Sequence, residues 1–193
     1  MQKIEKEIKI KINDIDGLIG QLLQDGATIK NKAMQKTVRF DTINENLEKK
    51  GVFLRVRSGN KNTITMKEKI GNDKNIRARK ETEFEIEDID KMIYIFKKIG
   101  FDYIKIMEKF RINLNYKNAI LSIDELPFGF FLEIEGTENQ INTISDKLNY
   151  STKDKIIETY WDLFENYKKK KNIKSKNIIF PKNYISKILS LKY

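Results

Sequence analysis

Acidic and basic side chains recur in this chain as like-signed pairs two residues apart. They read Glu5-x-Glu7-x-Lys9, Arg55-x-Arg57, Glu83-x-Glu85, Lys109-x-Arg111 and Glu133-x-Glu135, with Lys67 and Asp124 set between them. On a β-strand, residues two apart project from the same face, so each pair places two full charges side by side. The chain has no cysteine and no histidine. That excludes disulfides, thiolate nucleophiles, Cys- or His-ligated metal and Ser-His-Asp chemistry. Catalysis must then run on carboxylates, amines, guanidinium groups and hydroxyls, or on a metal held by oxygen. Oxygen ligands favour hard cations such as magnesium, manganese or calcium.

These pairs need a scaffold, and 193 residues suffice for one domain with a proper core. Charged residues make up 34% and the formal net charge is +10. That charge suits an anionic partner, whether nucleic acid, a membrane surface or a phosphorylated small molecule, among which charge alone does not choose. The abundance of Lys, Asn and Ile is also what a biased base composition would give. No apolar run is long enough to span a bilayer, and the charged opening stretch is not a signal peptide, so the cytoplasm is the expected location.

Period-2 alternation predicts strands over 3–12, 30–41, 52–58, 62–70, 75–87, 103–115, 118–126 and 129–136. Helical spacing predicts helices over 14–25, 88–99, 137–149 and 154–167, and turns are expected at Ser58-Gly59-Asn60, Gly71-Asn72-Asp73, Tyr116-Lys117-Asn118 and Pro127-Phe128-Gly129. Hairpin-linked strands suggest an antiparallel sheet, and closure into a barrel would remove its edges. In the first strand Ile4, Ile8, Ile10 and Ile12 oppose Glu5, Glu7, Lys9 and Lys11, and the other strands show the same division. Strand by strand, such a face reads as wet and lightly stabilised by cross-strand ion pairs. Repeated on nearly every strand, it reads as the polar lumen of a barrel whose apolar outer face carries the helices. The fold class is α+β, an eight-stranded antiparallel barrel with a charged lumen. The last segment stands apart, giving a domain over 1–167 and a basic extension over 168–193. Residues 168–176 are expected to be a solvated polybasic linker, and Tyr184, Ile185, Ile188 and Leu189 suit a short amphipathic helix. The extension reads first as an extra element on the barrel or a loose end; a tunnel plug, a homodimer contact and a tether to anionic surfaces are the functional readings.

The order of these motifs resembles one family. Glu5–Lys9 matches the ExExK signature of the CYTH domain, the triphosphate tunnel metalloenzymes that include class IV adenylyl cyclases and thiamine triphosphatases. Leu54–Arg57, Thr65–Lys67, Glu83/Glu85, Glu108–Arg111 and the run IDELPFGFFLEIEG from Ile123 to Gly136 follow in order, and the last is similar to the cyclase-type branch. The resemblance spans about residues 1–167 and implies a tunnel with helices outside. It implies a Mg2+ or Mn2+ cofactor held by Glu5, Glu7, Glu83, Glu85, Asp124, Glu133 and Glu135. It implies a triphosphate-containing substrate gripped by Lys9, Arg55, Arg57, Lys67, Lys109 and Arg111. Glu5, Glu7 and Lys9 become the candidate catalytic residues, with Glu5 or Glu7 orienting a water in hydrolysis. Lys11, Arg39, Lys69, Arg77, Arg79, Glu81 and Lys105 are lesser candidates that tune the field. Where the cyclase-type branch has Lys-Ser-Tyr, this chain has Glu158-Thr159-Tyr160, and Lys153 or Lys155 is the nearby substitute for the missing lysine.

Cyclisation of ATP and hydrolysis of a triphosphate both remain open. Phe53, Met107, Leu121 and Phe131 are candidates to seat a base, or else an apolar plug. A nucleic-acid-binding barrel has no use for the paired carboxylates, which disfavours it, and a catalytically dead polyphosphate binder would need metal ligands to be missing.

Overall fold

The computed structural model describes residues 2–71 and 76–191. The expected turn at Gly71-Asn72-Asp73 and the first residue of the strand expected from 75 lie outside the described residues. Eight strands are present: β1 (Gln2–Ile12), β2 (Thr28–Asp41), β3 (Val52–Ser58), β4 (Thr63–Lys69), β5 (Arg77–Glu85), β6 (Tyr103–Tyr116), β7 (Ala119–Leu126) and β8 (Gly129–Glu135). All pairings are antiparallel, in the order β1-β5-β4-β3-β2-β6-β7-β8. β1 closes the ring, because it pairs with β5 through Glu7 and with β8 from Glu7 onward. At the β6–β7 hairpin Lys117 and Asn118 both have positive φ (49° and 60°), the twist-matched geometry of a two-residue turn.

The core lies outside the sheet. Helix α1 (Ile15–Gln24) and α4 (Glu138–Lys147) bring Leu18, Ile19, Leu22, Ile141 and Ile144 onto Ile8, Ile10, Ile12, Ile112, Leu114, Ile123, Leu132 and Ile134. The short α2 (Asn46–Lys49) follows β2, and its first amides donate to the buried Asp41. Helix α3 (Ile89–Lys98) covers Val38, Phe40, Val56 and Ile64 with Ile89, Met92, Ile93 and Phe96. Ile4 departs from its expected place under the helices. It is 62% exposed, because the start of β1 pairs with β5 where no helix crosses.

The C-terminal third differs most from expectation. Helix α5 spans Tyr160–Lys171 and does not begin at 154. The Thr159 hydroxyl accepts from the Asp162 amide and the Asp162 carboxylate accepts from the Thr159 amide, a reciprocal box that fixes the first turn. Upstream, Ile156 exchanges backbone hydrogen bonds of 2.9 and 2.8 Å with Lys9, filling the β1 edge that β5 leaves free. Lys168–Lys171 form the last turn of α5, so the expected linker does not start there. Beyond it the tail packs on the barrel. Ile178 is fully buried and bridges to the Met107 region of β6, while Phe180 packs on Phe110 and Tyr184 on Phe180. Helix α6 (Lys187–Ser190) buries Ile188 but leaves Leu189 exposed, and Tyr184 and Ile185 precede it.

Candidate active site

Strand parity sends the charged residues inward, where they line a cavity of about 540 Å³. The cavity has two unlike walls. Strands β8, β1 and β5 contribute Glu133, Glu135, Glu5, Glu7, Glu81 and Glu83, while β3, β4 and β6 contribute Arg55, Arg57, Lys67, Lys109 and Arg111. Lys3, Lys9 and Arg77 are the cations on the acidic wall, and Lys3 pairs with Glu135 at 2.5 Å.

Ion pairs cross between and along these walls. Lys67 bonds Glu5 closely and lies 3.3 Å from Glu81. Arg57 contacts Glu83 at 3.3 Å, and Arg77 contacts Glu7 at 3.2 Å. The Lys9 ammonium sits between two carboxylates, 3.2 Å from Glu7 Oε1 and 3.3 Å from Glu133 Oε1. Arg111 bonds Glu133 on one side and Asp124 on the other. Burial alone would drive Glu133 toward its neutral form, but Arg111 and Lys9 hold its carboxyl well below the usual range. Burial likewise opposes the charge on Lys9, and Glu7 and Glu133 more than offset it, so its pKa is raised. Lys109 goes the other way: burial and the adjacent Arg111 pull its pKa down to about 7.

All the candidate phosphate-gripping residues line the cavity. The carboxylates divide. Glu5, Glu7, Glu83, Glu133 and Glu135 line it, and Glu81, a lesser candidate, joins them. Glu85 shares their face but is exposed at the end of β5, paired with Lys61 outside. Asp124 is wholly buried behind the basic wall. Its oxygens accept from Arg111, from Lys109 at 3.0 Å and from the Tyr160 hydroxyl at 2.7 Å, so here it braces two cations.

Helix α5 closes one end. Thr159, Tyr160 and Trp161 reach the cavity, and the Tyr160 ring lies 5.2 Å from the Lys9 ammonium and 5.3 Å from that of Lys109. Neither expected substitute for the missing lysine arrives: Lys153 is exposed, and Lys155 turns to Asn142 at 2.8 Å. Phe53 and Met107 line the apolar end, while Phe131 packs behind them in the cluster with Tyr160, Trp161 and Phe164. Leu121 is corrected outright. It belongs to the outer core, because parity turns Ile120 and Ser122 inward instead.

The donor chemistry suits a hard divalent ion, being carboxylate oxygen throughout. Among the described residues, however, no three carboxylates converge as a ready metal set. Cations stand between them.

A family model for the CYTH domain matches residues 3–160. The chain belongs to the CYTH family. This CYTH protein is 32% identical over 177 residues to a Methanocaldococcus jannaschii protein named as a candidate adenylate cyclase, covering 91% of this chain and 94% of that one. The solved structure of the PH1012 protein from Pyrococcus horikoshii superposes with a TM-score of 0.70 at 27% identity, over 81% of this chain and 96% of that one. A candidate adenylyl cyclase from Hippeastrum, described as having a dominant triphosphatase activity, shares the fold at 19% identity and a TM-score of 0.54, covering 88% of each chain. CYTH proteins of the triphosphate tunnel type generally use divalent metals. Among the described residues no helix is long and apolar enough to cross a membrane.

Proposed function

We propose that this protein is a divalent-metal-dependent enzyme acting on a nucleoside triphosphate, with cyclisation of ATP to cyclic AMP and pyrophosphate as the first reading and hydrolysis as the second. The observation that carries the reading is the opposition of a carboxylate wall to an Arg/Lys wall across one cavity. A polyphosphate chain fits against Arg55, Arg57, Lys67, Lys109 and Arg111, where guanidinium forks bind phosphate oxygens bidentately and ammonium groups add point charge. Glu5, Glu7, Glu133 and Glu135, with Glu81 and Glu83 across β5, would hold the metal. When bound, such an ion supplies Lewis-acid charge to phosphate oxygens. The basic wall would stabilise charge on the leaving phosphates, with Lys109 and Arg111 held in place before reaction by Asp124, which Tyr160 in turn braces. The cavity volume favours a ligand with an organic part, since it falls in the range that encloses a small-molecule ligand. Phe53 and Met107 offer that part an apolar seat. The name of the Methanocaldococcus jannaschii relative supports cyclisation, and the Hippeastrum title motivates the second reading, although its likeness is one of fold.

The test incubates purified protein with Mg2+ or Mn2+ and, separately, ATP, inorganic triphosphate and thiamine triphosphate. Cyclic AMP with pyrophosphate establishes the cyclase, and orthophosphate release establishes hydrolysis. No turnover of any substrate with either metal overturns the enzymatic reading. Glu5→Gln and Glu133→Gln are expected to lose metal-dependent turnover while remaining folded by circular dichroism.

A further inference from the structure

The Lys9 ammonium occupies the space between Glu7 and Glu133 on the acidic wall. Lys9 lies opposite Glu133 across the β1–β8 ladder and two residues from Glu7, so two carboxylates from adjacent strands flank one ammonium, while Glu135 is paired with Lys3 at 2.5 Å. Nζ is 3.2 Å from Glu7 and 3.3 Å from Glu133, and the side chain is 2% exposed. Arg77 touches the same Glu7 oxygen, and Arg111 holds the other oxygen of Glu133. Like-charged carboxylates so close repel strongly in a site shielded from water, and a cation among them removes that cost.

We infer that Lys9 is an internal counter-cation that keeps the metal's place, so that a divalent ion reaches Glu7 and Glu133 only when the ammonium leaves them. This rests on the metal-dependent reading above and deepens it. Metal and ammonium compete for the same oxygens, because two cations within a few ångströms repel each other as strongly as the carboxylates attract them. The displaced side chain remains in the cavity, where a polyphosphate provides the one new source of negative charge that can receive it. Metal binding and triphosphate binding are thereby linked through a single side chain, each favouring the other. Glu5 is held differently. It is paired with Lys67 on the opposite wall, and Lys9 is the one cation that contacts both Glu7 and Glu133 among the described ion pairs.

The test removes the ammonium and measures binding of Mn2+ alone, with no nucleotide, by equilibrium dialysis and by the metal-dependent rise in melting temperature. Lys9→Met is expected to bind Mn2+ about tenfold or more tightly than wild type, a coupling of ordinary size for linked sites. Lys9→Gln leaves an N–H donor between the carboxylates and decides the matter if Lys9→Met does not fold. A variant that folds only when Mn2+ is present supports the inference in the same way. If the folded variants bind Mn2+ no tighter than wild type, while wild type turns over a triphosphate, the place-keeping role is wrong and the enzymatic reading stands. If wild type neither turns over a triphosphate nor binds Mn2+ in the presence of one, the reading underneath fails as well.

Discussion

Glu125→Gln isolates what the C-terminal segment contributes. Glu125 is fully buried on the outer face of β7 and accepts four hydrogen bonds from the tail. One oxygen takes the Tyr184 hydroxyl at 2.7 Å and the Lys187 amide at 3.0 Å. The other takes the Ser186 hydroxyl at 2.5 Å and the Ile188 amide at 3.0 Å. Glutamine keeps one acceptor oxygen and turns an NH2 group toward the other pair. A hydroxyl can rotate to accept from that group, but a backbone amide cannot, so one buried N–H loses its partner and the remaining bonds lose their charge. Together these cost about 2–4 kcal/mol. The loss cannot exceed the free energy of docking the tail, since detachment would return Glu125 to water. Burial of Ile178 and Ile188, each 0% exposed, favours docking by about 1.5–3 kcal/mol per side chain, so that ceiling is not reached first. The expected readout is faster amide exchange at Lys187 and Ile188, at Ile178, and at Glu108, whose amide donates to Ile178 at 2.7 Å. Urea unfolding reports the global share of the loss. Unchanged exchange at Lys187 and Ile188, with stability within about 0.5 kcal/mol of wild type, is the size of an ordinary surface change and would refute the latch.

Two further changes probe the site. Lys109 has a folded pKa of about 7 against 10.5 ordinarily. Below pH 7 both folded and unfolded chains carry its proton and the folded state bears the full penalty; between pH 7 and 10.5 the unfolded chain binds more protons, so wild-type stability rises with pH. The stability advantage of Lys109→Met over wild type should therefore shrink by as much as about 1.4 kcal/mol per pH unit across that window. Urea curves at pH 6, 7.5 and 9 check this, and a pH-independent difference would contradict the depressed pKa. Thr159→Ala removes the cap of α5 and should cost about 1 kcal/mol, with Thr159→Ser close to wild type. Trp161 is the single tryptophan and is 6% exposed, so fraying of the first turn would move its emission to the red; an unchanged spectrum and unchanged stability would remove the cap from the account.

Much of the site was legible because strand parity is a binary signal. Once Glu5, Arg55, Lys109 and Glu133 are placed on faces by alternation, closure of the sheet brings them together. Parity says nothing of depth along the lumen, which is why Glu81 and Glu85 exchange importance: both face inward, but β5 carries Glu85 past the cavity to Lys61. The start of α5 was masked because Ile156 and Ile157 stand at helical spacing from Tyr160, Trp161 and Phe164, although Thr159-x-x-Asp162 marked the cap. The tail could have been anticipated from two oddities. Glu125 falls on the same outward face as Ile123 and Leu121, a charge set among core residues. β6 runs 14 residues beside a β7 of 8, leaving the Ile106–Glu108 edge in need of the partner that Ile178 supplies.

These features share one cause. A barrel that kept its apolar core inside could not hold this many ionised groups, since the desolvation penalty for each is several kcal/mol. Here the apolar residues of β1, β6, β7 and β8 face outward onto α1 and α4, and those of β2, β3 and β4 onto α3, so the apolar core does not need the lumen. The lumen is then free to hold charge, provided the signs balance without a ligand. Lys9 with Glu7 and Glu133, Lys67 with Glu5 and Glu81, and Arg111 with Asp124 and Glu133 supply that balance. A metal alone or a polyphosphate alone would upset it, whereas the two together bring opposite charges to opposite walls. On the proposed reading, the pairing of Glu-x-Glu and Arg-x-Arg along the sequence balances the lumen's charge without ligand and links binding of the metal to binding of the triphosphate.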